Sequence, residues 1–230
     1  MLSLIVASVC VLGISAQHHP WDPQPGDGGA VWLKKHEAMV NQTRDHKAEV
    51  EIVFVGDSIT ELWAGNGKAV WAKYYAPRHA FNYGIGGDRT EAVIYRIQHQ
   101  EFDGLDPKVT VVMIGTNNAA PNTAEDIAHG VNETVTELLS KMPNTKVILL
   151  GILPRDSLHD KVKQVNEMIK KLNNDKNVFF LDMWSAYETD GVMHTELYDN
   201  PKDRLHLSTK GYEVWQQTME PLLKKLDPTL

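Results

Sequence analysis

Cysteine is nearly missing from this chain: of 230 residues only Cys10 is one, and it lies within the first sixteen. Once that stretch is removed no disulfide can form, so stability must come from a packed core. Basic residues are outnumbered, 23 Lys and Arg against 30 Asp and Glu, which gives a formal net charge of −7. That balance argues against a nucleic-acid partner or an anionic membrane surface. After the first sixteen residues no apolar run is long enough to span a membrane. Neither Gly-x-Gly-x-x-Gly nor Gly-x-x-x-x-Gly-Lys occurs, which argues against the common phosphate-cradling loops. Cys, His and carboxylate clusters with zinc or iron spacing are lacking too, so neither a metal nor a cofactor is expected.

What is present begins with a leader. Met1 to Ala16 carries no charge, is mostly Leu, Ile, Val and Ala, and ends in Ile14-Ser15-Ala16, with small residues at its last two positions. It reads as a secretory signal peptide over 1–16 and places the mature chain outside the cell. Residues 17–49 form an arm rich in Pro and Gly followed by a helix over Val31–Asn41, expected to pack on the sheet edge. A single catalytic domain is assigned to 50–230. Two Asn-x-Thr triplets, at Asn41 and Asn132, are candidate glycosylation sites of a secreted glycoprotein.

Five short, mostly apolar segments that read as strands alternate with helical stretches. They are Ile52–Val55, Ala80–Tyr83, Val109–Ile114, Val147–Leu153 and Val178–Met183. This alternation predicts βαβ units, hence an α/β fold with a five-stranded parallel sheet covered on both faces. Ser185–Leu207 reads as loop, and Ser208 caps a last helix.

Parallel strands all release their chain at the same edge, where α/β proteins keep their ligands. Three strands end in small or polar residues: Gly56-Asp57-Ser58, Gly84-Ile85-Gly86-Gly87 and Gly115-Thr116-Asn117. Asp-Ser before a helix can be a plain N-cap, and Asn118 fits an ordinary turn residue. The late segment Asp203-Arg204-Leu205-His206 supplies what a serine nucleophile needs, a base and a carboxylate to orient it. Ser58 is therefore the candidate nucleophile, with His206 and Asp203 completing a triad. The N–H groups of Ser58 and Gly87 and the Asn117 amide form a candidate oxyanion hole. His36, His46, His79, His99, His129 and His159 read as surface or edge residues. His194, Trp184, Tyr187 and Tyr198 are candidates for lining the pocket, with core packing favoured for Trp184.

Gly56-Asp57-Ser58, Gly87, Asn117 and Asp203-x-x-His206 match in order the four blocks of the SGNH (GDSL-type) hydrolase superfamily, which the chain resembles over roughly Val50–Leu226. The resemblance implies a flavodoxin-like three-layer α/β/α sandwich and a serine esterase acting through an acyl-enzyme. Phe54–Ser58, Asn82–Asp88, Gly115–Asn118 and Leu150–Arg155 are most similar to the catalytic subunits of platelet-activating factor acetylhydrolase Ib. That similarity implies a short-chain, acetyl ester and homodimer formation. Those relatives are cytosolic and lack a leader, so their phospholipid substrate and regulatory partner are not carried over. The small acylated substrate stays open between an acetylated lipid and a sugar, the latter making the chain a carbohydrate O-acetyl esterase. A non-catalytic acyl-ligand-binding relative and an acyltransferase are the alternatives.

Overall fold

In the computed structural model, residues 18–200, 202 and 204–229 are described. The leader with Cys10, Gln17 and Asp203 lie outside them. Strands β1 (Ile52–Gly56), β2 (Ala80–Gly84), β3 (Val109–Met113), β4 (Lys146–Leu150) and β5 (Val178–Leu181) make one sheet in the order β2-β1-β3-β4-β5. Every pairing is parallel, as expected for strands joined by helices.

Side-chain alternation divides each strand between two cores. Val53, Val55, Val112, Val147 and Leu149 point to one face. There they meet α4 (Thr90–Gln98), α5 (Ala124–Lys141) and α6 (His159–Ile169) through Val93, Ile127, Val131 and Val165. Ile52, Phe54, Val111, Ile148 and Leu150 point the other way, onto α3 (Lys68–Tyr74) and α8 (Thr209–Leu226). Trp63, Tyr212 and Trp215 fill that second core. The three-layer α/β/α sandwich with a five-stranded parallel sheet follows from this two-sided burial.

Several boundaries moved, among them the end of the fifth strand, which was expected at Met183 but falls at Leu181. The fourth strand was expected to reach Leu153 but stops at Leu150. Beyond it, the Asn166 side chain takes both the N–H and the carbonyl of Ile152, each at 2.8 Å, in place of a strand partner. The expected loop at 185–207 contains α7 (Trp184–Tyr187) and a hairpin of β6 (Glu188–Thr189) and β7 (Val192–Met193). A single 3-10 turn at Thr195–Leu197 follows. The early helix α1 runs Gly29–His46, and its buried residues are Trp32, His36 and Thr43, whereas Val31 is exposed. Trp32 packs with Ile85 and Ala92, so α1 covers α4 and the turn after β2.

Among the described residues no helix is long and apolar enough to cross a membrane. Asn41 is exposed and Asn132 half-buried, both within helices.

Candidate active site

Strand register brings the site together. Gly56 sits opposite Gly84 on one side and Met113 on the other, so the next residues of all three strands emerge side by side. A side chain at position 84 would lie 2.2 Å from the Glu61 nitrogen, so only glycine lets β2 pass this close. The helix α2 (Ser58–Glu61) starts at once after β1. Its N-cap is Asp57, whose Oδ1 accepts the Ile59 N–H at 2.9 Å. The capping role therefore falls to Asp57 and leaves the Ser58 hydroxyl for other work. That hydroxyl lies 2.9 Å from His206 Nε2.

The backbone around His206 is fixed at three points. Its carbonyl accepts the Asp199 N–H at 2.8 Å, and Leu207 bridges Tyr198 across an isolated β-pair. The Asn66 amide donates to the Leu207 carbonyl at 3.0 Å. Ser208 then caps α8 by accepting the Gly211 N–H, as expected.

Gly87 has φ +85°, a conformation natural to glycine, and open space where a Cβ would stand. Asn117 lies in a 3-10 turn after β3 and donates its amide to the Asp88 carbonyl at 2.8 Å. The structure thus gathers Ser58, His206, Gly87 and Asn117 at one sheet edge.

Several positioning residues were not foreseen. Glu61, one turn after Ser58, accepts the Gly86 N–H at 2.8 Å and pairs with Lys35 of α1. Asn82 donates to the Thr60 carbonyl at 2.9 Å and accepts the Gly84 N–H at 2.8 Å. Tyr212 of α8 donates to the Ile59 carbonyl at 2.6 Å. Arg155 holds the turn after β3 through the Thr116 carbonyl at 2.9 Å. These polar contacts leave no periodic signal along the chain; the tertiary fold brings them together.

Behind this edge lies a wholly buried ion network. Arg96 meets Asp88 at 2.5 Å and Glu101 at 2.8 Å, all without exposed side chain, and also donates to the Tyr83 carbonyl. Burial opposes its charge, yet Glu101 and Asp88 outweigh it and hold the guanidinium proton more tightly than usual. Trp32 donates to Asp88 at 2.6 Å and His36 meets Glu101 at 2.9 Å. His36 is therefore a buried residue, in contrast to the surface or edge position expected for it.

Other expectations are also corrected. Asn118 is no ordinary turn residue: fully buried, it accepts the Thr90 N–H at 3.0 Å and donates to Glu91 at 2.9 Å. Tyr187 and Tyr198 are core residues whose hydroxyls donate to the Gly211 and Pro154 carbonyls. The His194 ring is engaged by Thr189 and the Ala186 carbonyl. Trp184, by contrast, packs half-buried against the core as expected and donates to Glu188 at 2.9 Å.

Burial, with Asp88 nearby, pushes the Asp57 carboxyl up to about 7, although the Ile59 N–H and Arg155 pull it down. No ordinary surface aspartate behaves this way. A hydroxyl within hydrogen-bond reach of an imidazole, backed by amide donors at a sheet edge, is equipped for acyl transfer.

The model of the GDSL-like lipase/acylhydrolase family matches residues 54–214. The chain belongs to that family. Like other GDSL-family acylhydrolases, it is an ester hydrolase. It is 34% identical over 214 residues to human platelet-activating factor acetylhydrolase IB subunit alpha1, covering 90% of this chain and 89% of the relative. The rat alpha2 subunit is also 34% identical, over 205 residues and 86% of each chain. Among solved structures, a GDSL-like lipase from Bacteroides thetaiotaomicron superposes with a TM-score of 0.67 at 18% identity. That match covers 81% of this chain and 97% of the other, and it supports the fold.

Proposed function

We propose that this GDSL-family hydrolase is a secreted serine esterase that removes short acyl groups, acetyl above longer ones, through an acyl-enzyme. The observation that carries the reading is the 2.9 Å separation of Ser58 Oγ and His206 Nε2. His206 takes the hydroxyl proton as Ser58 Oγ attacks the ester carbonyl. The tetrahedral oxyanion is held by the Ser58 and Gly87 N–H groups and the Asn117 amide. Collapse expels the alcohol, protonated by His206, and leaves the acyl group on Ser58. Water, deprotonated by His206, then attacks the acyl-enzyme, releasing the acid and restoring the serine. Asp203 orients the imidazole and balances its transient charge.

The acetyl preference is supported by the human relative, an acetylhydrolase by name. Secretion is supported by the uncharged apolar stretch at 1–16. The test compares the secreted chain with Ser58→Ala on p-nitrophenyl acetate, butyrate and octanoate. Turnover that vanishes with Ser58 and declines with chain length is expected. Full activity in a folded Ser58→Ala protein, or none in the wild type, removes the assignment.

A further inference from the structure

The prolines and glycines of residues 18–28 suggest a loose arm, but hydrogen bonds and a ring stack fasten it to the body. Thr90 donates its hydroxyl to the Pro20 carbonyl at 2.6 Å, and the Gln24 N–H donates to the Glu91 carbonyl at 3.2 Å. The Trp21 ring stacks on His129 of α5 with centroids 4.0 Å apart. Between the arm and the start of α4 lies a cavity of about 210 Å³, walled by Gln24, Asp27, Arg89, Glu91 and Gly87.

Gly87 connects this cavity to the chemistry. Gly87, a candidate oxyanion donor, is part of the cavity wall, and a Cβ on the preceding Gly86 would stand 3.6 Å from the Ser58 Cβ. Its volume is below the roughly 300–1,000 Å³ of pockets for drug-sized ligands and suits one small unit.

Pro25 and Ala92 wall part of it, and the charged and amide groups wall most of the rest. Arg89 reaches Asp27 at 3.3 Å and Glu91 at 3.8 Å, longer than the roughly 2.7–2.9 Å of a charge-assisted hydrogen bond. The guanidinium therefore keeps donors to offer. Asp27 is largely exposed and supplies acceptors, and the Gln24 side chain supplies both. An acyl chain would strand these groups without partners. A phosphate would meet Arg89 but also two carboxylates. A neutral polyol, with a donor and an acceptor on every hydroxyl, satisfies all of them.

We infer that the arm and the start of α4 form the subsite for the alcohol half of the ester, and that this half is a neutral polyhydroxylated unit of sugar type. This rests on the esterase reading of Ser58 and His206.

The experiment uses the full secreted chain and its Asp27→Ala and Arg89→Ala variants. The substrates are p-nitrophenyl acetate, mono-O-acetylated methyl glucosides and an acetylated lysophospholipid. The sugar ester is expected to be turned over faster than the phospholipid ester. In both variants the kcat/KM ratio of sugar ester to p-nitrophenyl acetate is expected to fall about tenfold or more, mainly through KM. Asp27 is 80% exposed, so its replacement leaves the fold intact and keeps the test decisive. An unchanged ratio in both variants, or preference for the phospholipid ester, overturns the subsite while Ser58-dependent hydrolysis of p-nitrophenyl acetate still stands. Loss of all Ser58-dependent turnover in the wild type overturns the esterase reading and the subsite with it.

Discussion

The side-chain amide of Asn117 donates to the main-chain carbonyl of Asp88 at 2.8 Å, and that one bond ties the turn after β3 to the turn after β2. The Asp88 carboxylate is in turn held by Arg96 at 2.5 Å and by Trp32 at 2.6 Å. The candidate oxyanion donors therefore hang from a buried ion network that includes α1. Their aim is set before any substrate arrives, which is what electrostatic preorganisation requires.

Arg96→Leu should expose the value of that network. Removing the cation leaves Asp88 and Glu101 buried without their partner, a change that typically costs about 3–5 kcal/mol. Urea unfolding is expected to show a loss of that order, and kcat should fall with it. Arg96→Lys should recover only part, because an ammonium cannot serve Asp88, Glu101 and the Tyr83 carbonyl from one planar fork. A loss within about 0.5 kcal/mol, the range of ordinary surface changes, would contradict the role.

Glu61 offers a finer test of positioning. Its carboxylate accepts the Gly86 N–H at 2.8 Å, one residue before the Gly87 donor. Glu61→Ala is expected to lower kcat about tenfold on p-nitrophenyl acetate with KM little changed, since a small displacement of a donor is felt in the transition state. Glu61→Gln keeps an acceptor and should restore most of kcat. The lost pairing with Lys35 is half-exposed and is worth about 1 kcal/mol at most. Equal loss in both variants would assign the effect to charge instead of position.

Asp57 predicts an unusual pH dependence of stability. Its carboxyl is raised from 3.8 to about 7, chiefly by burial. Between those values the unfolded chain has released a proton that the folded chain retains, so stability falls as pH rises and levels off above 7. Asp57→Asn keeps an oxygen for the Ile59 N–H and removes the titration. Its stability relative to wild type should improve by on the order of 2 kcal/mol between pH 5 and pH 8 in urea unfolding. A difference that does not change with pH would refute the buried-acid account.

His159 and Glu188 titrate in senses opposite to each other. Their side chains meet at 2.5 Å. Glu188 raises the affinity of His159 for its proton above the ordinary 6.5. Burial works against the Glu188 charge, but His159 and Trp184 lower its pKa below the ordinary 4.5. The histidine's contribution is full below about 6.5 and is lost as pH rises through its folded pKa. The glutamate's is present above about 4.5 and lost as pH falls through its folded pKa. Glu188→Gln should thus destabilise the chain more at pH 6 than at pH 9, read from thermal unfolding at both. Equal shifts at the two pH values would show the pair to be silent.

The strands and the main site residues were legible because they depend on local pattern. Runs such as Val53-Phe54-Val55 and Val111–Ile114 are apolar on consecutive residues, so they must be buried on both faces whatever surrounds them. The fourth strand was read too long because Ile152 and Leu153 are apolar as well. Nothing in their own sequence shows that Asn166, fourteen residues away, takes the Ile152 backbone. Val31 was misplaced for a related reason: α1 buries Trp32, His36 and Thr43, a narrower polar stripe than hydrophobicity alone suggests.

Sequence by itself determined the two-faced sheet, the direction of its strands and therefore the common edge on which Ser58, Gly87 and Asn117 emerge. Burial pattern and the right-handed crossover of parallel strands leave few other arrangements. Only the tertiary structure decided which polar groups meet there. It gave the cap to Asp57 and left Ser58 facing His206, placed Glu61 on Gly86, and folded residues 18–28 against Gly87. Those pairings join residues up to 148 positions apart, and a hydrogen bond depends on distance and angle, not on any pattern the chain carries along its length.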